Sequence, residues 1–323
     1  MSKKILLLFL FSAGLFFLPA CGPKAAPDNL IRIGLLSIDD SLPFFTAEQE
    51  GFYTKHGAVV ELITFGSAVD KETALEAGGI DGDMTDLIVA NLLKKGDTDV
   101  KAVCVALGAK ITEGRFVLLA APGNQNIKDA ADLKGVPVAV GSNTLIHYLN
   151  DKIASLSGFG ADESVIINIP DLGLRLEALL GGRIKAAILP DPLASLAVLN
   201  GASVVADFTQ SEKNYSQSVV LFTQKAIDSK GAEIQKVMDA YFEAMVFINE
   251  NPDSEAVRSA LYKFCRIPEA LQDLYPTPRY TPRALPDAEL MADVSDWMLE
   301  KGLCEKICSY EDMVDSRFAV RQP

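Results

Sequence analysis

The feature that most constrains the fold is a strand–helix alternation that the chain carries twice. In the first copy, the strand-like runs IRIGLLSI and VVELITF are each followed by a polar break and a helix-like segment. About one hundred residues later, VPVAV and VIINI are followed by helix-like segments in the same order. At a single offset of 104 residues, the segment at 74–84 aligns with the segment at 178–188. Because strands that alternate with helices are typical of parallel sheets, we predict an α/β protein with two similar lobes, each a doubly wound and mostly parallel sheet.

Four apolar runs predict where the chain passes between the lobes. KAVCVAL has the pattern of a last strand of the first lobe, and RFVLLAA that of a first strand of the second lobe. SVVADF would end the second lobe, and SVVLFTQ would return the chain to the first. Two such crossings side by side would form a hinge. We therefore predict that lobe 1 spans 30–111 and 213–323, with helices at its C-terminal end, and that lobe 2 spans 112–212.

The N-terminal segment has the pattern of an export signal. Lys3 and Lys4 precede an apolar run that is too short to cross a bilayer, since a spanning helix takes about 20 residues. The run ends in Leu-Pro-Ala-Cys, which resembles the lipobox of bacterial lipoproteins. That resemblance implies that Cys21 carries lipid and anchors the exported protein to a bacterial membrane, facing the periplasm or the exterior. We predict a signal peptide at 1–20 and a tether at 21–29.

Composition limits the partners and the chemistry. The formal net charge of −13 disfavours nucleic acid, whose binding needs Lys and Arg on the phosphates. Four cysteines follow Cys21, and export permits disulfides, but the sequence leaves their pairing open. His56 and His147 lack the spacing of metal ligands, so we expect no metal site and no cofactor. The chain has no nucleophile elbow and no phosphate-binding loop, so we expect no catalytic residues.

Three long segments of the chain resemble the substrate-binding proteins of ABC importers. The resemblance is to the type II class of periplasmic binding proteins, which binds sulfonates, nitrate and thiamine precursors. The segments are IRIGLLSIDDSLPFFTAEQEGFYTKHGAVVELITFGS, DLKGVPVAVGSNT and EALLGGRIKAAILPDPLASLA, and Lys185 stands where the family usually has Asp. The resemblance covers nearly all of the chain after Cys21. It implies a small-molecule ligand held between the lobes, and an ABC permease with its ATPase as partners.

Two other functions fit parts of the same pattern. A fungal thiamine-precursor synthase shares the fold, but it is marked by a cysteine-rich motif that this chain lacks. Export also disfavours a biosynthetic enzyme, so we predict a binding protein and not an enzyme. A lipoprotein sensor that presents its ligand-bound form to a receptor fits the sequence as well as an importer component does.

The predicted ligand site lies beyond the carboxyl ends of the strands, where open α/β sheets bind their ligands. Two facing lobes present two such edges across one cleft, and the loops there are rich in small, polar and acidic residues. Helix starts and hydroxyl groups in these loops would meet ligand oxygens. The alternative for each residue is a helix cap, a solvated loop charge or core packing. The candidate ligand-binding residues are Asp39, Asp40, Ser41, Phe44, Phe65, Gly66, Ser67, Thr85, Asp86, Arg115, Ser142, Asn143, Thr144, Tyr148, Asp171 and Asp191.

The acidic residues of these loops favour one ligand class, nitrogen heterocycles, over another, small anions. Carboxylates such as Asp39, Asp86 and Asp191 would repel a small anion, and burial would amplify the repulsion. Phe44 and Tyr148 offer flat apolar faces beside the same loops, and Phe65 does so too. A ring that carries N–H or amino groups would stack on such faces and donate to the carboxylates. We therefore predict a nitrogen heterocycle, such as a pyrimidine thiamine precursor, with a sulfonate or nitrate as the alternative.

Overall fold

Two β-sheets form the centre of the protein. A computed structural model describes residues 28–160 and 162–320, so the predicted signal peptide and Cys21 lie outside the described residues. Within these ranges, no helix has the length and apolar composition to cross a membrane. In chain order the strands are β1 (Leu30–Leu36), β2 (Val59–Phe65), β3 (Gly82–Thr85), β4 (Val100–Leu107), β5 (Phe116–Ala120), β6 (Val138–Val140), β7 (Ile166–Asn168), β8 (Ala186–Pro190), β9 (Ser203–Asp207) and β10 (Ser218–Thr223).

The two sheets have the same strand order and the same strand directions. Sheet 1 has the order β2-β1-β3-β10-β4, and sheet 2 has the order β7-β6-β8-β5-β9. In sheet 1, β1 is parallel to β2 and β3, whereas β10 is antiparallel to β3 and β4. In sheet 2, β6 is parallel to β7 and β8, whereas β5 is antiparallel to β8 and β9. The predicted two-lobe α/β fold with mostly parallel sheets is therefore confirmed.

The chain passes between the two sheets twice. β4 of sheet 1 is followed by β5 of sheet 2, and β9 of sheet 2 is followed by β10 of sheet 1. This exchange supplies the antiparallel strand of each sheet, because β10 lies between β3 and β4 and β5 lies between β8 and β9. The bounds 30–111, 112–212 and 213–323 stay a prediction, since strand membership does not locate the point about which the lobes would turn.

Helices connect the strands and make up most of the C-terminal part. The α-helices are α1 (Leu42–Gln49), α2 (Phe52–His56), α3 (Ala68–Glu76), α4 (Leu87–Lys95), α5 (Leu145–Leu156), α6 (Leu172–Leu180), α7 (Leu193–Leu199), α8 (Gln224–Glu250), α9 (Glu255–Phe264), α10 (Glu269–Gln272), α11 (Ala288–Glu300) and α12 (Tyr310–Met313). Single-turn 3-10 helices lie at Asp39–Ser41, Ala130–Leu133, Phe208–Gln210 and Ser316–Phe318. The long α8 packs against α1, α2 and β1, and α11 packs against α4.

The repeat seen in the sequence is present in the structure at the same offset. The helices α3 and α6 begin 104 residues apart, as do the strands β3 and β8. The residues that cap the two helices also correspond, since Ser67 accepts from the Asp70 backbone N–H and Asp171 accepts from the Leu174 backbone N–H. Each cap satisfies an N–H group that the first helical turn leaves without a partner. The local sequence therefore starts both helices at the same place relative to their sheets.

The four cysteines that the structure describes are free thiols. Cys104 is fully buried on β4, where burial raises the pKa of its thiol, so it behaves as an apolar packing residue. Cys265, Cys304 and Cys308 lie in the C-terminal part and are likewise unpaired. Among the described residues the four cysteines are therefore unpaired, and Cys265 and Cys304 are buried in the core as Cys104 is.

Candidate functional site

One cavity, which we call the main cavity because of its position between the lobes, lies where the carboxyl ends of strands from both sheets face each other. Its volume is about 90 Å³. The lining from the sheet 1 side includes Leu36, Ile38, Asp40, Lys71, Met84, Thr85 and Asp86. The lining from the sheet 2 side includes Phe116, Gly141, Ser142, Thr144, Leu145, Pro170, Leu172, Arg175 and Pro190. Five of the predicted site residues are thus brought together here: Asp40, Thr85, Asp86, Ser142 and Thr144.

Asp86 joins the two lobes across this cavity. Its Oδ1 accepts from the backbone N–H groups of Ile88 and Val89, so the side chain caps α4 in its own lobe. Its Oδ2 accepts from the backbone N–H of Leu145, 2.9 Å away at the start of α5 in the other lobe. Burial raises the pKa of Asp86, against the lowering effect of these hydrogen bonds. One carboxylate therefore holds the N-termini of two helices from opposite lobes.

Polar groups at the start of α5 are occupied by hydrogen bonds within the same lobe. Thr144 Oγ1 accepts from the Ile146 N–H and donates to the Gly141 carbonyl. The Ser142 N–H donates to the Asn168 side chain, 3.0 Å away. With Asp86 on Leu145, these contacts leave little of the helix start for a ligand, although the sequence had suggested it as an oxygen-binding site.

Lys71 is a buried cation of the cavity that the sequence pattern did not single out. Its side chain is almost fully buried, and its Nζ lies 2.6 Å from Asp83 Oδ2 and 2.8 Å from Glu72 Oε1. Burial alone would lower the pKa of Lys71, but the two carboxylates outweigh burial and raise it. Thr85 donates to the same Glu72 oxygen at 2.9 Å. The ammonium charge at this wall of the cavity is therefore balanced within the protein.

Arg175 is the second buried cation of the cavity and differs from Lys71 in its partners. It is 1% exposed, and its guanidinium donates to the backbone carbonyls of Ile169, Ile188 and Pro170. Burial lowers the pKa of Arg175 to about 10. A side chain at Gly141 would come within 3.2 Å of this guanidinium, so glycine leaves room for it. Carbonyl partners satisfy the N–H groups but do not neutralise the charge.

Arg115 lies at the first crossing and is held by carboxylates of its own lobe. Its Nε donates to Asp207 at 2.7 Å, and its Nη1 lies 3.2 Å from Asp191. The same Nη1 donates to Ser195, which in turn donates to Asp191. Burial would lower the pKa of Arg115, but Asp191 and Asp207 raise it overall. The guanidinium charge of Arg115 is therefore balanced by two carboxylates within lobe 2.

Asp39 and Asp40 are buried acids at the inner end of the cleft. They form the single helical turn that follows β1, and they are 8% and 6% exposed. Asp39 Oδ2 accepts from the Tyr275 hydroxyl at 2.5 Å. Burial is the largest cause that raises the pKa of each, and for Asp39 the neighbouring Asp191 raises it further. Both are therefore groups that resist ionisation.

Phe44 and Tyr148 do not offer faces to a ligand, which corrects the prediction for these two residues. Both side chains are fully buried. The Phe44 ring packs 4.3 Å from the Tyr241 ring, between α1 and α8. The Tyr148 ring packs 5.7 Å from the Trp297 ring, and its hydroxyl donates to Asp293 on α11. Neither lines the main cavity, because each is directed into the packing between helices.

Other predicted residues are also placed away from the main cavity. Ser41 is fully buried, and Asn143 is exposed with a positive φ of 61°. Ser67 hydrogen bonds with Asp70, as its helix cap requires. A separate cavity of about 160 Å³ is lined by Phe65, Gly66 and Asp171 together with Leu172 and Arg266. These residues stay a prediction as ligand contacts.

The chain belongs to the NMT1-like family, which matches residues 24–262. No curated protein sequence matches the chain. Its fold is similar to that of several solved structures, all at low sequence identity.

The similar structures include three binding proteins. One is the ligand-binding component of an ABC-type import system from Staphylococcus aureus, solved with zinc bound (TM-score 0.75, 13% identity, covering 90% of this chain and 98% of that one). Another is the periplasmic aliphatic sulphonate binding protein SsuA from Escherichia coli (TM-score 0.71, 23% identity, covering 91% and 99%). A third is the periplasmic nitrate-binding protein NrtA from Synechocystis PCC 6803 (TM-score 0.66, 16% identity, covering 74% and 68%). These structural similarities show that this chain shares the fold of the three binding proteins.

Proposed function

We propose that this protein is an exported solute-binding protein that delivers a small organic molecule to an ABC importer. The observation that carries the proposal is the cavity at which strand ends of both lobes face each other. Membership of the NMT1-like family supports it, as does the fold shared with sulphonate- and nitrate-binding proteins. The partners would be the importer's permease and ATPase. The protein would bind and release its ligand without chemistry.

We propose a nitrogen heterocycle as the ligand, for example a pyrimidine thiamine precursor. The volume of the main cavity, about 90 Å³, is several times the roughly 10–15 Å³ that one water needs, so the cavity has room for a small molecule such as a substituted ring. Leu36, Phe116 and Leu172 supply apolar surface for the ring. Asp40 and Asp86 supply carboxyl oxygens that accept from ring N–H or amino groups.

A sulfonate or nitrate ion is the second candidate, and Arg175 favours it. This guanidinium lines the cavity and donates to backbone carbonyls, so its positive charge has no directly bonded carboxylate among the described residues. A small anion would neutralise that charge. Against this candidate stand the carboxyl groups of Asp40 and Asp86 in the same cavity.

A thermal-shift and calorimetric screen separates the two candidates. Pyrimidines and purines form one arm, and alkanesulfonates and nitrate form the other. A ligand at 100 times its Kd stabilises the folded protein by about 2.7 kcal/mol. We expect stabilisation by a pyrimidine, and we expect Asp40→Asn to weaken that binding at least tenfold while Asp296→Asn, an exposed change on α11, leaves it intact. Stabilisation by alkanesulfonates alone would establish the second candidate instead.

We propose that the protein is anchored to a bacterial membrane by lipid on Cys21. The sequence pattern Leu-Pro-Ala-Cys and the polar tether after it support the proposal. Mass spectrometry of the membrane-extracted protein should show a chain that begins at a lipid-modified Cys21. Retention of Met1, or cleavage at another site without lipid, would contradict it.

A further inference from the structure

A second, smaller chamber continues the main cavity inward, towards the crossings between the lobes. The two spaces share Asp40, Phe116, Pro190 and Ser218 in their linings, so they adjoin. The inner chamber has a volume of about 10 Å³, which is close to the smallest space that holds one water-sized group. A ring does not fit there, but a single substituent of a ring in the main cavity does.

Two buried polar atoms of the inner chamber have no hydrogen-bond partner among the described residues. They are Oδ1 of Asp39 and Oγ of Ser216, and both residues line the chamber. Asp39 is 8% exposed and Ser216 is 4% exposed, so water outside the protein does not satisfy them. The two come from different segments, the turn after β1 and the return crossing before β10. Buried polar atoms in native proteins are nearly always paired. Two unpaired atoms on residues that line one small space therefore point to an occupant that donates hydrogen bonds.

Carboxyl groups outnumber cations around the inner chamber. Asp39, Asp40 and Asp191 line it, and Arg115 is the cation among its lining residues. Arg115 also pairs with Asp207, which does not line the chamber: Arg115 Nε lies 2.7 Å from Asp207 Oδ2. Burial raises the pKa of Asp39, and the neighbouring Asp191 raises it further, which is the response of a carboxyl group that lacks a positive partner. An occupant with positive charge would favour the ionised form of Asp39, whereas a neutral water would not.

We propose that the inner chamber binds the primary ammonium group of the cleft ligand, with N–H groups donating to Asp39 Oδ1 and Ser216 Oγ. An ammonium group is the size of a water molecule, carries only donors and brings the missing positive charge. The rest of the ligand occupies the main cavity. This inference rests on the proposed function and narrows it to rings that carry an amine on a short arm.

Matched probes test the inference on the purified full-length protein. Benzylamine carries a ring and an ammonium group, and benzyl alcohol is its neutral counterpart of the same size. We expect calorimetry to show benzylamine binding at least tenfold more tightly than benzyl alcohol. Asp39→Asn should reduce this preference to less than threefold, and Asp296→Asn should leave it unchanged. Ser216→Ala removes a hydroxyl that has no partner in the described part of the chain, so this variant should fold normally and also reduce the preference.

Three outcomes of the binding measurements would overturn the inference. They are equal binding of the two probes, an unchanged preference in both chamber variants, and no binding of benzylamine. A crystal structure with a water alone at Asp39 and Ser216 in the presence of saturating benzylamine would do the same. The proposed function fails separately, because pyrimidines that bind at Asp40 without any amine preference would preserve that function and refute the ammonium site.

Discussion

At the residue scale, the two cations of the main cavity show which features of a site are visible in a sequence and which are hidden. Lys71 and Arg175 stand 104 residues apart, at matching positions on α3 and α6. The offset of the repeat therefore pairs them in the sequence itself. Their role in the cavity was not predictable, because a cation inside a helix is ordinarily exposed and residue type does not reveal burial. The loop acids Asp40 and Asp86 were predictable, since strand ends can be located from the apolar pattern.

Lys71→Met should destabilise the protein strongly. The change leaves Asp83 and Glu72 buried without their shared cation, and loss of one partner of a buried ion pair destabilises by about 3–5 kcal/mol. Urea unfolding followed by circular dichroism measures the free energy of unfolding. Lys236→Met removes a partly exposed pair with Glu233 and should change it by less than about 1 kcal/mol. Equal effects of the two changes would show that the ion pairs of Lys71 with Asp83 and Glu72 do not stabilise the protein.

The buried acids predict a pH dependence of stability. The pKa of Asp39 is raised in the folded state, chiefly by burial and then by Asp191, above the value of about 3.9 in an unfolded chain. The folded state therefore binds the proton more tightly, so the stability that this proton contributes is complete below about pH 4 and is lost as pH rises through the folded pKa. His147, whose pKa burial lowers, acts in the opposite sense below about pH 6.5.

Asp39→Asn isolates the contribution of this one acid. We expect the free energy of unfolding of the wild type to fall as pH rises above about 4, and to fall by more than that of the variant. His147 is present in both proteins, so its effect cancels in the comparison. Parallel curves for the two proteins would mean that Asp39 is ionised without penalty in the folded state.

At the element scale, helix starts were predicted well and the directions of helix side chains were not. The helix-like runs LIHYLNDKIASL and LGLRLEALL correspond to α5 and α6. Caps and strand ends are local signals, and they locate such starts. Phe44 and Tyr148 face Tyr241 and Trp297, which lie far along the chain. Which side of a helix meets such a partner depends on tertiary packing, so a local pattern predicts the helix but not its buried face.

Asp86 provides a test at the level of elements, because its two oxygens serve different helices. In Asp86→Asn, the amide oxygen still caps α4, but an NH2 group replaces the oxygen that accepts from the Leu145 N–H. Because both groups are donors, the hydrogen bond to Leu145 is lost. Asp86→Ala loses both contacts. We expect Asp86→Ala to destabilise by about 1–2 kcal/mol more than Asp86→Asn, as the loss of a helix cap does. Thermal and urea unfolding measure the difference, and Asp171→Ala, which removes a cap within one lobe, is the matched control.

Both Asp86 variants should weaken ligand binding, since each breaks the link from α4 to α5 across the cavity. Ser254→Ala, which removes the cap of α9, should leave binding nearly unchanged, because Ser254 does not line the main cavity. A ligand that binds the two Asp86 variants as tightly as the wild type would show that the link between the lobes does not contribute to the binding-competent form.

At the scale of the whole molecule, the repeat explains why two lobes were predictable and why their contacts were not. The offset of 104 residues is visible in the sequence, and it predicts two sheets of the same topology. The inner chamber combines the turn after β1 with Ser216 of the return crossing, residues that no local pattern connects. Sites assembled from two crossings depend on how the lobes meet, which is a property of the folded chain alone.

The last prediction concerns the contact between the lobes at α5 and α11. Asp293 on α11 accepts from the Tyr148 hydroxyl and lies 2.5 Å from Lys152 Nζ, both on α5. Asp151 on α5 accepts in turn from the indole N–H of Trp297 on α11. If the lobes close on a ligand by a hinge motion, these bonds favour the closed arrangement, and breaking them shifts the population towards the open one.

Asp293→Ala should therefore increase the radius of gyration of the ligand-free protein in solution scattering. It should also weaken ligand binding, because the apparent affinity falls with the population of the binding-competent form. A saturating ligand should restore the compact shape, and Asp296→Ala, an exposed change on the same helix, should alter neither quantity. Unchanged scattering and affinity in Asp293→Ala would mean that α5 and α11 move together as one body, so that closure takes place elsewhere or not at all.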